Sequence, residues 1–200
     1  MEKKRFLKEY VEPIVIAVLI ALFVRTFIVQ AFKIPSSSME PTLLVGDYLL
    51  VNKFLYGTRI PFTDQKILQF RKPHRGDIIV FIYPKDRSKD FIKRVIGQEG
   101  EKVEILHNKI YINDQLIDDP WGHFILFHPS METYGPVVVP KDSLFVMGDN
   151  RDNSQDSRYW GFVTLNEVRG EAFILYFSLD WNARHLTDKV RWARIGKLIH

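Results

Sequence analysis

The longest uninterrupted apolar run is Ile14 to Phe32, IVIAVLIALFVRTFIVQAF, 19 residues with Arg25 as the single charge. The polar positions that a surface helix would need at helical spacing are missing from Ile14 to Val24. As a helix at ~1.5 Å per residue it would be about 28 Å long, close to the ~30 Å hydrocarbon core of a bilayer. Arg25 and Gln30 lie toward its end, where a long side chain can reach the headgroups. The QAFKIP that follows offers no A-x-A cleavage pattern, so the run predicts an uncleaved transmembrane anchor over 13–32. Lys3, Lys4, Arg5 and Lys8 precede it and only Lys33 follows closely. That asymmetry places 1–12 in the cytoplasm and 33–200 on the outer side.

Beyond Lys33 the period changes. Short β-branched and aromatic runs alternate with Gly, Pro, Asn and Asp: YLLVNKF, GDIIVFIY, DFIKRVIG, KVEIL, KIYIND, VVVP, SLFVMGDN and EAFILYFS. This is the signature of strands and turns, so the expected fold is mainly β, with antiparallel sheets following one N-terminal helix. LHNKI reads as a hairpin tip. Thr164 and Glu167 have capping-box spacing and predict one short helix. Asp118 to Pro136 carries three prolines and two glycines and keeps no clear period. It reads as an excursion from the main sheet, part of a small β extension at about 107–140. Its Trp121, Phe124, Ile125 and Phe127 are expected to touch lipid.

The chain has 200 residues, 46% of them hydrophobic and 14% aromatic, more than a disordered chain carries. A net charge of +4, with basic residues gathered toward both ends, favours an anionic lipid surface over a nucleic acid. There is no cysteine, which excludes disulfides and thiolate metal sites. His74, His107, His123, His128, His185 and His200 fall in turns, the excursion and the C-terminal segment, and read as surface residues. The acidic run GDNRDNSQDSR fails as a calcium loop, since Arg151, Ser154 and Trp160 stand where ligands and the turn glycine belong. No metal and no cofactor is expected.

G-x-S-x-G, H-E-x-x-H, Walker and S-x-x-K patterns are all missing, which leaves a conventional serine triad unsupported. Two features remain. The first is KIPSSSMEPTL, whose serines stand either in a flexible exit linker or in a nucleophile loop. The second is Lys93, between Phe91, Ile92, Val95 and Ile96 in a strand whose alternation puts it on one face with Phe91 and Val95. It reads either as an edge-strand charge that deters aggregation or as a general base. A lysine base must be neutral, so its pKa has to fall from ~10.4 to roughly 7–8, which burial among apolar side chains can achieve.

IPSSSMEPTLLVGDYLLVNKF, HRGDIIVFIYP, DFIKRVIGQEGEKV and GDNRDNSQDSRYWGFV together resemble the ordered motif blocks of the bacterial type I signal peptidase family, preceded by its membrane anchor. The resemblance covers roughly Val11 to Ser178. It implies Ser38 as nucleophile, Lys93 as general base, and the Ser36 hydroxyl with the Ser38 backbone N–H as the oxyanion hole. It implies that Ser154 hydrogen-bonds and orients the lysine. Asp149, Arg151, Asp156 and Arg158 would form a charged brace, with Arg94 and Asp149 as an ion pair. Phe32, Ile34, Met39, Leu43, Phe91 and Ile92 would line shallow pockets for small residues at −1 and −3. Ser37 stands where the family commonly has Gly or Glu.

The function so implied is a membrane-anchored serine endopeptidase that removes signal peptides from exported preproteins through an acyl-enzyme, without a cofactor. Its expected partners are signal peptides and the bilayer, in monomeric form near the export translocon, at the inner membrane with the catalytic domain on the periplasmic side. No nucleic acid is among them. Ser38 lies six residues past Phe32, at most about 20 Å along an extended chain, near the depth where a signal peptide's cleavage site emerges. Two competing readings are a self-cleaving Ser-Lys repressor, against which the anchor argues, and a catalytically silent substrate-binding module, which would have lost Ser38 or Lys93.

Overall fold

The computed structural model describes residues 7–59, 66–124 and 133–199. A turn of π-helix, Leu7–Val11, leads into helix α1, Glu12–Phe27, in which no residue is buried. Glu9–Phe27 is long and apolar enough to cross a membrane. The helix ends five residues earlier than the hydropathy run suggests. Val29–Lys33 is instead strand β1, paired antiparallel with β2, Asp47–Asn52, in the register Phe32↔Leu49. The aromatic and β-branched residues Val29 and Phe32 suit a half-buried strand as well as a membrane helix, and strand pairing decides between them.

The main sheet has seven antiparallel strands. From β1 and β2 it continues through β13 (Val168–Ser178), β5 (Ile78–Ile82), β6 (Asp90–Gly97), β11 (Ser143–Met147) and β12 (Val163–Thr164). A second sheet orders β10 (Thr133–Val138), β7 (Lys102–Leu106), β8 (Lys109–Ile112) and β9 (Gln115–Leu116), and so begins a few residues before the expected extension. The LHNKI tip is a two-residue turn with both His107 and Asn108 at positive φ, the primed geometry that matches strand twist. A two-stranded ribbon, β3 (Tyr56–Arg59) with β4 (Lys66–Gln69), completes the strands.

One local expectation is corrected. Thr164 does meet Glu167, its N–H and hydroxyl both donating to Oε2 at 2.9 and 3.0 Å, but the bonds close a turn between β12 and β13 rather than start a helix. The one short α-helix of this region is α2, Ser157–Trp160, where the Asp156 side chain accepts from the Arg158 N–H. In the excursion, Trp121 lies over the Arg94 guanidinium at 4.6 Å. Phe124 is exposed, while Ile125, Phe127 and His128 lie outside the described residues, as does His200.

Ile34, Met39, Leu43, Leu49, Val51, Ile78, Val80, Ala172, Leu175 and Ile199 form one buried cluster under the loop between β1 and β2. A second, built on Ile79, Phe81, Val95 and Val146, fills the other face, and a third joins Ile96 and Phe145 to the smaller sheet.

Candidate active site

The loop 34–46 carries the three serines, and its apolar residues explain its shape. Met39 and Leu43 have no exposed surface and Ile34 has 2%, so burial of these three pulls the loop onto the sheet. The Leu43 N–H donates to Met39 O, and the Ile34 N–H to Asp47 O at 2.8 Å, closing the loop's neck. Gly46 sits at φ +92°, and a side chain there would overlap the Leu179 carbonyl oxygen. Asp47, fully buried, gathers donors around that neck: Leu44 N–H at 2.8 Å, Ser178 Oγ at 2.6 Å, and Arg194 Nε and Nη2 at 3.0 and 2.5 Å. Arg194 Nη2 also donates to Thr42 O at 2.9 Å. Residues 179–199 thus strap the loop from behind.

From the front, the loop is held by the segment after β11. The Asn150 N–H donates to Ser38 O and Asn150 Nδ2 to Ser37 O, each at 3.1 Å, while Asn153 Nδ2 donates to Ser37 Oγ at 2.8 Å. Ser37 is therefore tied down at both its hydroxyl and its carbonyl. A loop pinned at so many points is not a linker.

Ser38 and Lys93 meet at 2.7 Å, Nζ to Oγ. Lys93 comes from β6, where Ile79 is its partner across the ladder, and Nζ also donates to Ile92 O at 2.9 Å. Both are buried, Ser38 at 8% and Lys93 at 4% exposure. Burial lowers the Lys93 pKa to about 8; the charge of Arg158 pushes the same way, and Asp156 and Asp149 partly oppose. Ser36 Oγ stands 3.4 Å from Ser38 Oγ. The pair has the elements of an activated nucleophile: a hydroxyl and a basic nitrogen in contact, away from bulk water, with the nitrogen's charge destabilised.

The charged residues around the pair form a frame. Arg94, next to Lys93 and on the opposite face of β6, makes a bidentate pair with Asp149, Nε–Oδ1 2.8 Å and Nη2–Oδ2 2.7 Å, with neither side chain exposed. Thr42 Oγ1 donates to the same Asp149 at 2.6 Å, and Arg94 Nη1 donates to Gly76 O. Arg151 pairs through both guanidinium ends with Asp119. Asp156 takes Arg158 Nε at 2.8 Å and the Gly148 N–H at 3.1 Å. The His123 N–H donates to Asp149 O and the Arg151 N–H to His123 O, so the excursion is zipped to this frame.

One expected contact is not made. Ser154 Oγ, in a residue of 5% exposure, has no hydrogen-bond partner among the described residues, and Lys93 directs its bonds to Ser38 and Ile92 instead. Ser154 packs so closely on Gly148 that a Cβ at 148 would overlap its hydroxyl and the Ser38 carbonyl oxygen.

A cleft of about 370 Å³ opens onto the pair, lined by Pro35, Ser36, Ser37, Ser38, Asp90, Phe91, Ile92, Lys93, Asn153 and Gln155. Of the six residues expected to contact a substrate, Phe91 and Ile92 line this cleft. Ile34, Met39 and Leu43 are enclosed in the core below it, and Phe32 packs against that core from β1, because a short loop must bury its own apolar side chains to hold its shape. Phe91 is fixed by stacking on Tyr83, centroids 4.2 Å apart. Sequence reasoning missed Asn150, Asn153, Thr42, Asp119 and Trp121. Only the proximity of the two asparagines to Ser154 in one acidic run hinted at them. Among the described residues no group of three or more His, Asp or Glu is arranged to hold a metal.

Comparison with known proteins gives the same direction. Residues 7–177 match the profile of peptidase S26, described as signal peptidase. A signal peptidase I from Pseudomonas aeruginosa is 34% identical over 235 residues, 100% of this chain and 82% of that protein. Another, from Aquifex aeolicus, is 36% identical over 86% of this chain and 84% of its own length. A solved signal peptidase I from Enterococcus faecalis is 32% identical and superposes with a TM-score of 0.43 over 50% of this chain and 97% of that one, too partial to add to the argument. With a family match over residues 7–177 and relatives more than 30% identical over most of both chains, the chain belongs to the signal peptidase family, peptidase S26, a family of serine peptidases.

Proposed function

We propose that the chain removes signal peptides by a Ser38–Lys93 dyad and an acyl-enzyme, cutting after small residues at −1 and −3. Neutral Lys93 accepts the Ser38 proton as Oγ attacks the scissile carbonyl carbon. The oxygen that becomes negative is met by the Ser38 backbone N–H and the Ser36 hydroxyl. The Lys93 ammonium then returns its proton to the departing amine, leaving Ser38 acylated by the signal peptide. A water, deprotonated by Lys93, hydrolyses that ester. Phe91 and Ile92 narrow the cleft beside the dyad, which favours small side chains at the cleaved bond. The Arg94–Asp149 pair ties β6, which carries Lys93, to the segment after β11 that holds the Ser38 loop, and Arg151–Asp119 and Arg158–Asp156 brace that segment.

Signal peptides are themselves apolar membrane segments, so confining enzyme and substrate to one bilayer supplies part of their proximity. The N-terminal helix would serve as a single span in the inner membrane, N-terminus inward and the β domain on the periplasmic side, as a monomer near the export machinery.

The observation that carries the reading is the 2.7 Å contact between Lys93 and Ser38 in a buried setting where the lysine pKa falls to about 8. It is tested by cleavage of a preprotein with an A-x-A site in detergent. Wild type should cut at that site, and Ser38→Ala and Lys93→Ala should each lose almost all activity. Full activity in either variant would overturn the dyad, and binding without cleavage by wild type would mark a silent substrate-binding module.

A further inference from the structure

Helix α1 and strand β1 are joined by Ile28 alone, so no flexible linker separates the membrane segment from the sheet. Ser38 then lies eleven residues past the helix rather than six past it, and chain length alone no longer fixes its depth. The junction does. Lys53, one residue past the end of β2, grips it at two points. Its N–H donates to Ile28 O at 2.9 Å and its Nζ donates to Thr26 O, in the last turn of α1, at 2.6 Å.

The Lys53 ammonium has no carboxylate within ion-pair distance among the described residues. It is half-buried, which lowers its pKa, and the charge of Arg169 pushes the same way. A lysine desolvated without an acid needs another source of negative potential, and the unpaired carbonyls at a helix C-terminus supply it. Lys53 and Thr26 stand in the lining of an open groove of about 1080 Å³ between helix and sheet, bordered further along by Ala17, Ile20 and Val24 on one side and Ala31 and Leu50 on the other. Lys53 thus bridges the junction end of that groove, bonded to the last turn of α1 and to Ile28.

We infer that Lys53 is a positioning residue that locks the anchor helix to the catalytic sheet, fixing the depth and orientation at which the Ser38 cleft meets a membrane-inserted substrate. This rests on the Ser38–Lys93 reading for the chemistry but assigns Lys53 no part in it. A substrate that comes from water needs no fixed depth, whereas one held in the bilayer does. Misplacement of ~1 Å can cost ~10²-fold in rate.

The test uses the full chain in liposomes with two substrates, a preprotein inserted in the same bilayer and a short soluble peptide spanning the cleavage site. Lys53→Met keeps the apolar stem and removes the donor; its kcat/KM on the preprotein should fall roughly tenfold or more while peptide cleavage changes less than about twofold. Lys53→Arg should recover most of the loss. Inserting Gly-Ser-Gly-Ser after Ile28, which frees the junction without touching Lys53 itself, should produce the same split and decides the matter if Lys53→Met does not fold. Equal losses on both substrates would reduce Lys53 to a stability role, and unchanged preprotein cleavage in Lys53→Met or in the insertion variant would also overturn the inference. Peptide cleavage that survives Ser38→Ala would instead overturn the dyad and leave the substrate split to be read independently.

Discussion

Lys93→Met removes an ammonium and keeps a side chain of similar length. Burial takes the Lys93 pKa from 10.5 to about 8. The gap of roughly 2.5 pH units corresponds to ~3 kcal/mol at ~1.4 kcal/mol per unit. The folded chain holds this proton more weakly than the unfolded chain, so between about pH 8 and 10.5 the unfolded state carries more protons and stability rises with pH. Below about pH 8 the full cost burdens the folded wild type; above 10.5 it is gone. Methionine carries no such cost but forfeits the bonds to Ser38 Oγ and Ile92 O, ~1 kcal/mol each. The variant should therefore be more stable than wild type by ~1 kcal/mol at pH 7 and less stable by ~2 kcal/mol at pH 10.5. Urea unfolding in a mild detergent, followed by tryptophan fluorescence at both pH values, measures this swing of ~3 kcal/mol. Groups other than Lys93 titrate in both proteins and cancel. A stability difference that stays flat with pH, within ~1 kcal/mol, would refute the claim that burial destabilises the Lys93 charge.

The same lysine sets the rate profile: kcat/KM should climb about tenfold between pH 7 and 9 as the neutral fraction goes from ~9% to ~91%, and a maximum near pH 5 would contradict a lysine base. Asp149→Ala leaves the Arg94 guanidinium buried without its partner and Thr42 Oγ1 without its acceptor, so denaturant unfolding should show a loss of roughly 3–5 kcal/mol; a loss under ~1 kcal/mol would show that the site relaxes to admit water. Gly148→Ala should abolish cleavage while leaving the far-UV circular dichroism unchanged, since the added Cβ meets the Ser38 carbonyl oxygen, which is backbone and cannot move aside without moving the nucleophile. Near-normal activity in Gly148→Ala would mean the loop is looser than its hydrogen bonds imply.

Alternation along the chain revealed most of the strands because it is a local property: GDIIVFIY, DFIKRVIG and SLFVMGDN each contain their own period. The end of the anchor was not legible, since Ile28 to Phe32 continues the apolar run with only Gln30 interrupting it and pairing with Asp47–Asn52 makes it a strand. Lys93 stood out as a lysine among apolar neighbours, yet its nearness to Ser38 spans 55 positions and no local signal carries it. The frame is harder still: Asp119 meets Arg151 across 32 positions and Asn153 meets Ser37 across 116. Ser37, the least distinctive of the three serines by sequence, is hydrogen-bonded from outside its loop as fully as Ser38, with two bonds to each.

The strap behind the nucleophile loop has a consequence for the order of synthesis. Asp47 closes the loop neck with Ser178, 131 positions later, and with Arg194, 147 positions later, while Ile199 completes the core beneath Met39. Translation at ~5–20 residues per second separates Asp47 from Arg194 by about 7 to 30 s. Through that interval Ser38 is already made but lacks the donors, the core and the β13 neighbour that hold it against Lys93. Under the proposed topology and dyad, a growing chain would cross the membrane before Ser38 and Lys93 are held together, and the dyad would assemble only after nearly all of the β domain has followed.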